Sequence, residues 1–223
     1  MLLEAKNIVK SYNEISENIL VLQGTSLCVK ENDLIAVTGE SGCGKSTLLH
    51  ILGMLDAPDD GEIFFKNEKI DSRGKNISKF RNKKFGFIFQ FHYLLEDFTA
   101  LENVSVPYFI KTGKRKKSLE YALELLKKFR LEHRKDHYPN QLSGGEQQRT
   151  AIARALINKP AIVFADEPTG NLDPVHSREI MDLIIELNKT ENQAFVIVTH
   201  DPDIADRCKS HYEMKNGKLE KIR

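Results

Sequence analysis

Residues Gly39 to Ser46 read Gly-Glu-Ser-Gly-Cys-Gly-Lys-Ser. The apolar run Leu34–Val37 stands just before them, and Thr47-Leu48-Leu49-His50-Ile51-Leu52, which continues as a helix, follows at once. A glycine-rich turn between a buried strand and a helix leaves few folds open. Its glycines let the backbone curl until successive N–H groups converge on one anion, and the helix that follows aims its positive end at the same point. Gly39, Glu40, Ser41, Gly42, Cys43 and Gly44 are therefore read as a phosphate cradle that runs on through Lys45, Ser46 and Thr47. Lys45 supplies a point charge for the outer phosphates, and Ser46 a hydroxyl for Mg²⁺. Cys43, beside Lys45 and a helix N-terminus, stands where a thiol can become reactive; it is read as a small residue that fits the loop.

Further strand-sized apolar runs at Phe85–Phe89, Ala161–Ala165 and Ala194–Val198 alternate with segments of helical spacing such as Ser118–Phe129 and Ser177–Leu187. That alternation predicts an α/β fold with a mainly parallel, covered core sheet. Leu3–Val9 and Ile19–Val29 are strand-like with little helix between them, and predict an antiparallel β subdomain beside the core. Asn216-Gly217 is a hairpin signal. The stretch from about 91 to 141 is helical in pattern and is read as a helical subdomain, so that residues 1–223 make a single cassette-like unit. The formal net charge of +1 offers no basic field for nucleic acid. Cys28, Cys43 and Cys208, odd in number and far apart, fit a reducing compartment. The N-terminal residues lack a signal-peptide pattern, and no apolar run is long enough to span a bilayer.

Ile162-Val163-Phe164-Ala165-Asp166-Glu167 is an apolar strand that ends in two carboxylates. In open α/β sheets ligands bind at the carboxyl ends of strands. Asp166 is placed to help hold Mg²⁺, and Glu167, projecting the other way, to orient or deprotonate a water. His200, at the end of the next strand, is expected at the same edge, within reach of a γ-phosphate. Asp173-Pro174 and Asp201-Pro202 are helix-start signals. A second anion site is written at Leu142–Arg149, LSGGEQQR, where Ser143, Gly144 and Gly145 open a helix.

With GESGCGKS, LSGGEQQR, VFADEP and His200 in this order, the chain resembles the ATP-binding cassette (ABC) ATPases over essentially its whole length. The resemblance implies a P-loop nucleotide hydrolase fold, ATP and Mg²⁺ as bound species, and hydrolysis by water. It implies that Tyr12 stacks on adenine and that Gln90 reaches the metal and couples to a transport partner. Ser143, Gly144 and Gly145 become the signature, Asp173 the aspartate of a loop that crosses a dimer interface, and His200 the switch histidine. Two copies are then expected to pack head to tail as a homodimer, each signature completing the partner's nucleotide site. Catalysis is assigned to Glu167, His200, Lys45 and Gln90, and the metal to Ser46, Asp166 and Gln90.

The segment Phe91–Val104 clusters more aromatic and apolar groups than a free loop needs. It is read as a groove for a short helix of an integral membrane permease subunit, with some of these groups packing internally. QFHYLLEDFTALENV and FADEPTGNLD are similar to the branch that includes lipoprotein-releasing ATPases. Macrolide-type efflux cassettes and the cell-division cassette are the alternatives. The branch implies a peripheral protein on the cytoplasmic face of an inner membrane. The basic runs at 79–84 and 111–117 are read as solvated faces.

Overall fold

The computed structural model describes residues 1–13 and 18–223. Its spine is a six-stranded sheet in the order β10-β9-β3-β8-β7-β6. These strands are β3 (Leu34–Thr38), β6 (Phe85–Phe89), β7 (Ile162–Asp166), β8 (Ala194–Val198), β9 (Ser210–Lys215) and β10 (Lys218–Lys221). All neighbours are parallel except β9 and β10. That pair is the hairpin expected at Asn216-Gly217, with φ of 47° and 69° at its two turn residues. Among the parallel strands, β3, β6, β7 and β8 are apolar along almost their whole length because both faces are covered, whereas β9 mixes polar and apolar residues. Side chains alternate along each strand, so Val163 and Ala165 face one apolar cluster while Ile162 and Phe164 face the other. Phe195 and Ile197 share the first cluster, and Val196 and Val198 the second.

The N-terminal strands form the expected antiparallel unit. β1 (Leu3–Asn13) pairs with β2 (Asn18–Val29), and the two belong to a separate sheet ordered β2-β1-β4-β5. β4 (Asp60–Phe65) and β5 (Glu68–Lys69) complete it, two strands that the apolar pattern did not announce. β4 carries only two buried residues, Ile63 and Phe65, and its pairing with β1 rather than its own pattern makes it a strand. Between the two sheets lies α1 (Lys45–Leu52), whose Leu48, Leu49, Ile51 and Leu52 are all fully buried.

Short α2 (Ile77–Lys84) leads into β6, and the stretch from 91 to 141 holds α3 (Ala100–Thr112), α4 (Arg115–Lys128) and two 3₁₀ turns. Thr99 caps α3, accepting from Glu102 N–H while the Glu102 carboxylate accepts from Thr99. Val104, Ala122, Leu126, Phe129 and Leu131 lie in the same apolar cluster as Ile88, Val163 and Phe195. These helices thus share a core with one face of the large sheet. α5 (Gly144–Leu156), α6 (Pro174–Glu191) and α7 (Pro202–Arg207) complete the chain, the last two started by Asp173 and Asp201 as their N-caps, with proline next.

Candidate nucleotide site

Because β3, β6, β7 and β8 run parallel, their carboxyl ends deliver the predicted residues to one edge. Phe89 pairs with Asp166 and Asp166 with Val198, which sets Gln90, Glu167 and Thr199 side by side. The loop after β3 turns through positive φ at Gly39, Gly42 and Gly44. At Gly39, with φ of 148°, a Cβ would lie 2.5 Å from the Met214 carbonyl oxygen, so only glycine fits. Lys45 is 8% exposed, and its Nζ donates to the Gly39 and Glu40 carbonyls at 2.8 Å each, folding the ammonium back over its own loop. Cys43 is partly buried and packs against the apolar cluster that contains α1, in line with a small residue that fits.

Ser46 and Asp166 meet across the two loops, the serine hydroxyl donating to a carboxylate oxygen at 3.1 Å. Burial pushes the Asp166 carboxyl above its ordinary value of 3.8. The neighbouring Glu167 charge adds to that, against the Ser46 hydrogen bond and the nearby His50 and Lys45 side chains. Glu167 sits at φ 45°, a left-handed conformation for a non-glycine residue, secured by its N–H donating to the Val198 carbonyl at 2.9 Å. That twist turns its side chain toward His200, whose Nδ1 lies 2.9 Å from the carboxylate. With the proton on Nδ1 the ring donates to Glu167. Glu167 is largely shielded while His200 is mostly exposed, so one partner is fixed and the other faces outward.

Gln90 closes β6 and is locked to the loop after Glu167: its Nε2 donates to Asn171 Oδ1 at 3.1 Å, and Asn171 Nδ2 returns a bond to the Gln90 carbonyl at 3.0 Å. Asn171 is a residue the sequence did not single out, because an asparagine in a polar loop carries no signal until its partner is known. Tyr12 stands on β1, half-exposed, donating from its hydroxyl to Asp56 at 2.9 Å, with the Lys10 ammonium 5.1 Å from its ring centroid. Burial pushes Asp56 up, but Lys10, Tyr12 and the Ala57 N–H together outweigh it and hold the carboxyl below its ordinary range.

Ser143 caps α5, a role the sequence reading does not assign to it: its hydroxyl accepts from Glu146 N–H while Glu146 accepts from Ser143 N–H at 2.8 Å. Burial raises the Glu146 carboxyl, yet the Ser143 N–H, the Arg134 guanidinium at 2.8 Å and the Ser143 hydroxyl outweigh it, so the value lies below 4.5. The neighbours of Gly144 and Gly145 are Leu172 and His176 at the start of α6. Asp173 divides its oxygens between the Val175 and His176 N–H groups, at 2.9 and 3.1 Å, and the His176 ring. In the predicted docking segment Phe91 and Tyr93 are 65% and 63% exposed, and Leu95 and Phe98 are also exposed. From Ala100 onward the segment turns inward, and buried Asn103 binds the Leu95, Phe98 and Thr99 backbone. Arg154, missed in the sequence, donates to the His92 and Tyr93 carbonyls at 2.5 Å each and so pins the backbone beneath the exposed rings.

The profile of the ABC transporter family matches residues 22–170, spanning the cradle, Gln90, the signature and the acidic strand end. The chain belongs to the ABC transporter family. It is an ABC ATPase cassette, and its relatives are alike over nearly their whole length. A lipoprotein-releasing system ATP-binding protein LolD from Pseudoalteromonas translucida is 47% identical, the alignment covering 98% of this chain and 95% of that protein. One from Cytophaga hutchinsonii is 49% identical over 97% of each. Among solved structures, the dimeric bacterial ABC transporter cassette MJ0796, also known in a post-hydrolysis state bound to ADP and Pi, superposes with a TM-score of 0.90. It is 40% identical and covers 100% of this chain and 99% of that one. The P-loop cassette fold, with its parallel core and antiparallel β unit, follows from both sequence and structure. Among the described residues no helix of this ABC cassette is long and apolar enough to cross a membrane.

Proposed function

We propose that this ABC ATPase works as a pair of identical copies that share two ATP molecules and drive membrane subunits which release lipoproteins from an inner membrane. The observation that carries the cargo is the 47–49% identity, over nearly full length, to three lipoprotein-releasing ATP-binding proteins. The chemistry is carried by the sheet edge. Gly39 to Thr47 cradle the phosphates, and Tyr12 supports the adenine. Lys45 leaves its loop carbonyls for the outer phosphates, and His200 adds a donor at the γ-phosphate. Glu167, held by the Val198 carbonyl and by His200, orients the attacking water and takes its proton.

The donors near Asp166 suit Mg²⁺. They are hard oxygens, few in number, and among the described residues no cluster of three or more His, Cys, Asp or Glu competes for a metal. That is the pattern of an ion which takes its remaining ligands from phosphates and water. Ser46 and Asp166 would hold it, with Gln90 adjacent, and the chemistry it would supply there is positive charge against the phosphates. A cation there also relieves the charge that burial penalises at Asp166.

Gly144 and Gly145 lie against Leu172 and His176 of their own chain, and Asp173 holds the His176 ring. A helix N-terminus exposed at Ser143 and Gly144 supports the reading that it serves a partner's triphosphate. The exposed rings of Phe91, Tyr93, Leu95 and Phe98 support docking of a membrane permease helix, and with it a peripheral place on the cytoplasmic face. The test is reconstitution. The cassette, co-purified with its integral membrane subunits in proteoliposomes loaded with a lipid-modified protein, is expected to release that protein only with ATP and Mg²⁺. Release of a macrolide instead, or an integral partner that moves no lipid-modified cargo, would replace the lipoprotein reading with the efflux or cell-division one.

A further inference from the structure

The signature segment carries two adjacent glutamines that the chemistry above does not use. Gln147 donates from Nε2 to the Pro139 and Leu142 carbonyls, at 3.0 and 3.1 Å, and ties down the turn that leads into α5. Gln148 points the other way. It is 1% exposed, and its Nε2 donates to the Pro168 carbonyl at 2.5 Å. Its Oε1 is buried with no hydrogen-bond partner among the described residues. An unpaired buried acceptor is destabilising, and a methionine would fill the same space without it. Packing therefore does not explain an amide at this position; the bond to Pro168 does. The flipped amide would set Oε1 against the Pro168 oxygen, so its orientation is determined.

Pro168 is the residue after Glu167. The turn it begins is tight: Gly170 N–H donates to the Glu167 carbonyl at 3.1 Å and Leu172 N–H to the Thr169 carbonyl at 3.0 Å. Gly144, four residues before Gln148, lies on the same helix face. A Cβ on it would lie 3.3 Å from Leu172, and one on Gly145 would lie 2.9 Å from the His176 ring. This face of α5 therefore runs along the segment from 168 to 176, with the signature at one end and the neighbour of Glu167 at the other.

We propose that Gln148 is a positioning residue that couples the two half-sites carried by one chain. Through it, α5 links Ser143, Gly144 and Gly145, offered to the partner's triphosphate, to Glu167, which acts on the chain's own. Ser143 and Gln148 are separated by about 7.5 Å along the helix axis, so a rigid α5 moves them together. When the signature is drawn onto a triphosphate, the Pro168 carbonyl follows, and the strained Glu167 backbone takes up the shift. The inference rests on the shared-site reading above.

The test substitutes Gln148 by Met, with Q148L as a second filler of similar volume. Thermal stability, ATP affinity and steady-state ATPase activity are then measured on the full chain. With the donor gone, the melting temperature is expected to hold or rise and the ATP Kd to stay within about twofold. The value of kcat should fall by about tenfold or more, the scale of a misplaced catalytic group. The Hill coefficient for ATP should drop toward one. Wild-type kcat and cooperativity in both variants would overturn the coupling. So would parallel loss of melting temperature, ATP affinity and kcat in both, since the amide would then be structural. Glu167→Gln separates the two failures. If E167Q keeps turnover, the underlying assignment fails; if E167Q is inactive and Q148M is not, only the coupling does.

Discussion

At the residue scale the decisive pair is Glu167 and His200. A carboxylate shielded from water, at positive φ and anchored through its own N–H, is placed by the fold, whereas the mostly exposed imidazole is free to meet a ligand. Glu167→Gln keeps shape and hydrogen bonding to the ring but removes the carboxylate proposed as the base. ATP binding should persist while kcat drops by about 10²–10⁴-fold, as measured by radiolabelled phosphate release. Asp166 makes a different prediction. Burial lifts its folded value above 3.8, so its contribution to stability is complete below 3.8 and is lost as pH rises through the raised value. At neutral pH Asp166→Asn should therefore melt at a higher temperature than the wild type when no nucleotide is present. It should also lose most of the stabilisation that Mg²⁺ and ATP give the wild type; differential scanning fluorimetry reads both. Gln90 shows what a list of motifs omits. Its end-of-strand position was legible, but its tether to Asn171 depends on two loops 81 residues apart, a pairing with no sequence signal.

At the scale of elements, short local rules explain most helix starts. Thr99 and Ser143 each lead a capping box, and Asp173 and Asp201 each precede a proline and accept the next N–H groups. Glu146 belongs both to the α5 box and to an ion pair with Arg134, which joins the signature helix to the turn before it. Its folded value lies below 4.5, so its stabilisation is present above 4.5 and is lost as pH falls below that. In an acid titration followed by circular dichroism, Glu146→Gln should start less stable at pH 7 and lose less between about pH 5 and 3. The parallel strands could be read from apolar runs because both their faces are buried. β4 could not: it has polar residues on its outer face, and its identity comes from pairing with β1. The helical stretch from 91 to 141 was legible as helix, but its sharing of one apolar cluster with the large sheet was not.

At the scale of the whole molecule, the shared-site proposal makes closure a matter between two copies. In size-exclusion chromatography with light scattering, E167Q should elute as a dimer with ATP and as a monomer with ADP. Adding Ser143→Ala, which removes a helix cap and the proposed donor to the partner's phosphate, should return it to monomer. Loss of the cap alone costs about 1 kcal/mol, which a folded cassette tolerates, so a melting curve separates the two effects. The sequence by itself determined the α/β class, the glycine-rich turn, the acidic strand end, the start of the signature helix and the helix starts at Asp173 and Asp201, because each is written in consecutive residues whose backbone demands are local. Only the tertiary structure decided that Ser46 meets Asp166 and Glu167 meets His200, that Asn171 holds Gln90, and that a buried amide on the signature helix grips the residue beside Glu167. Those contacts join segments far apart in the chain, and distance in space is set by how the sheet orders its strands, which no single segment records.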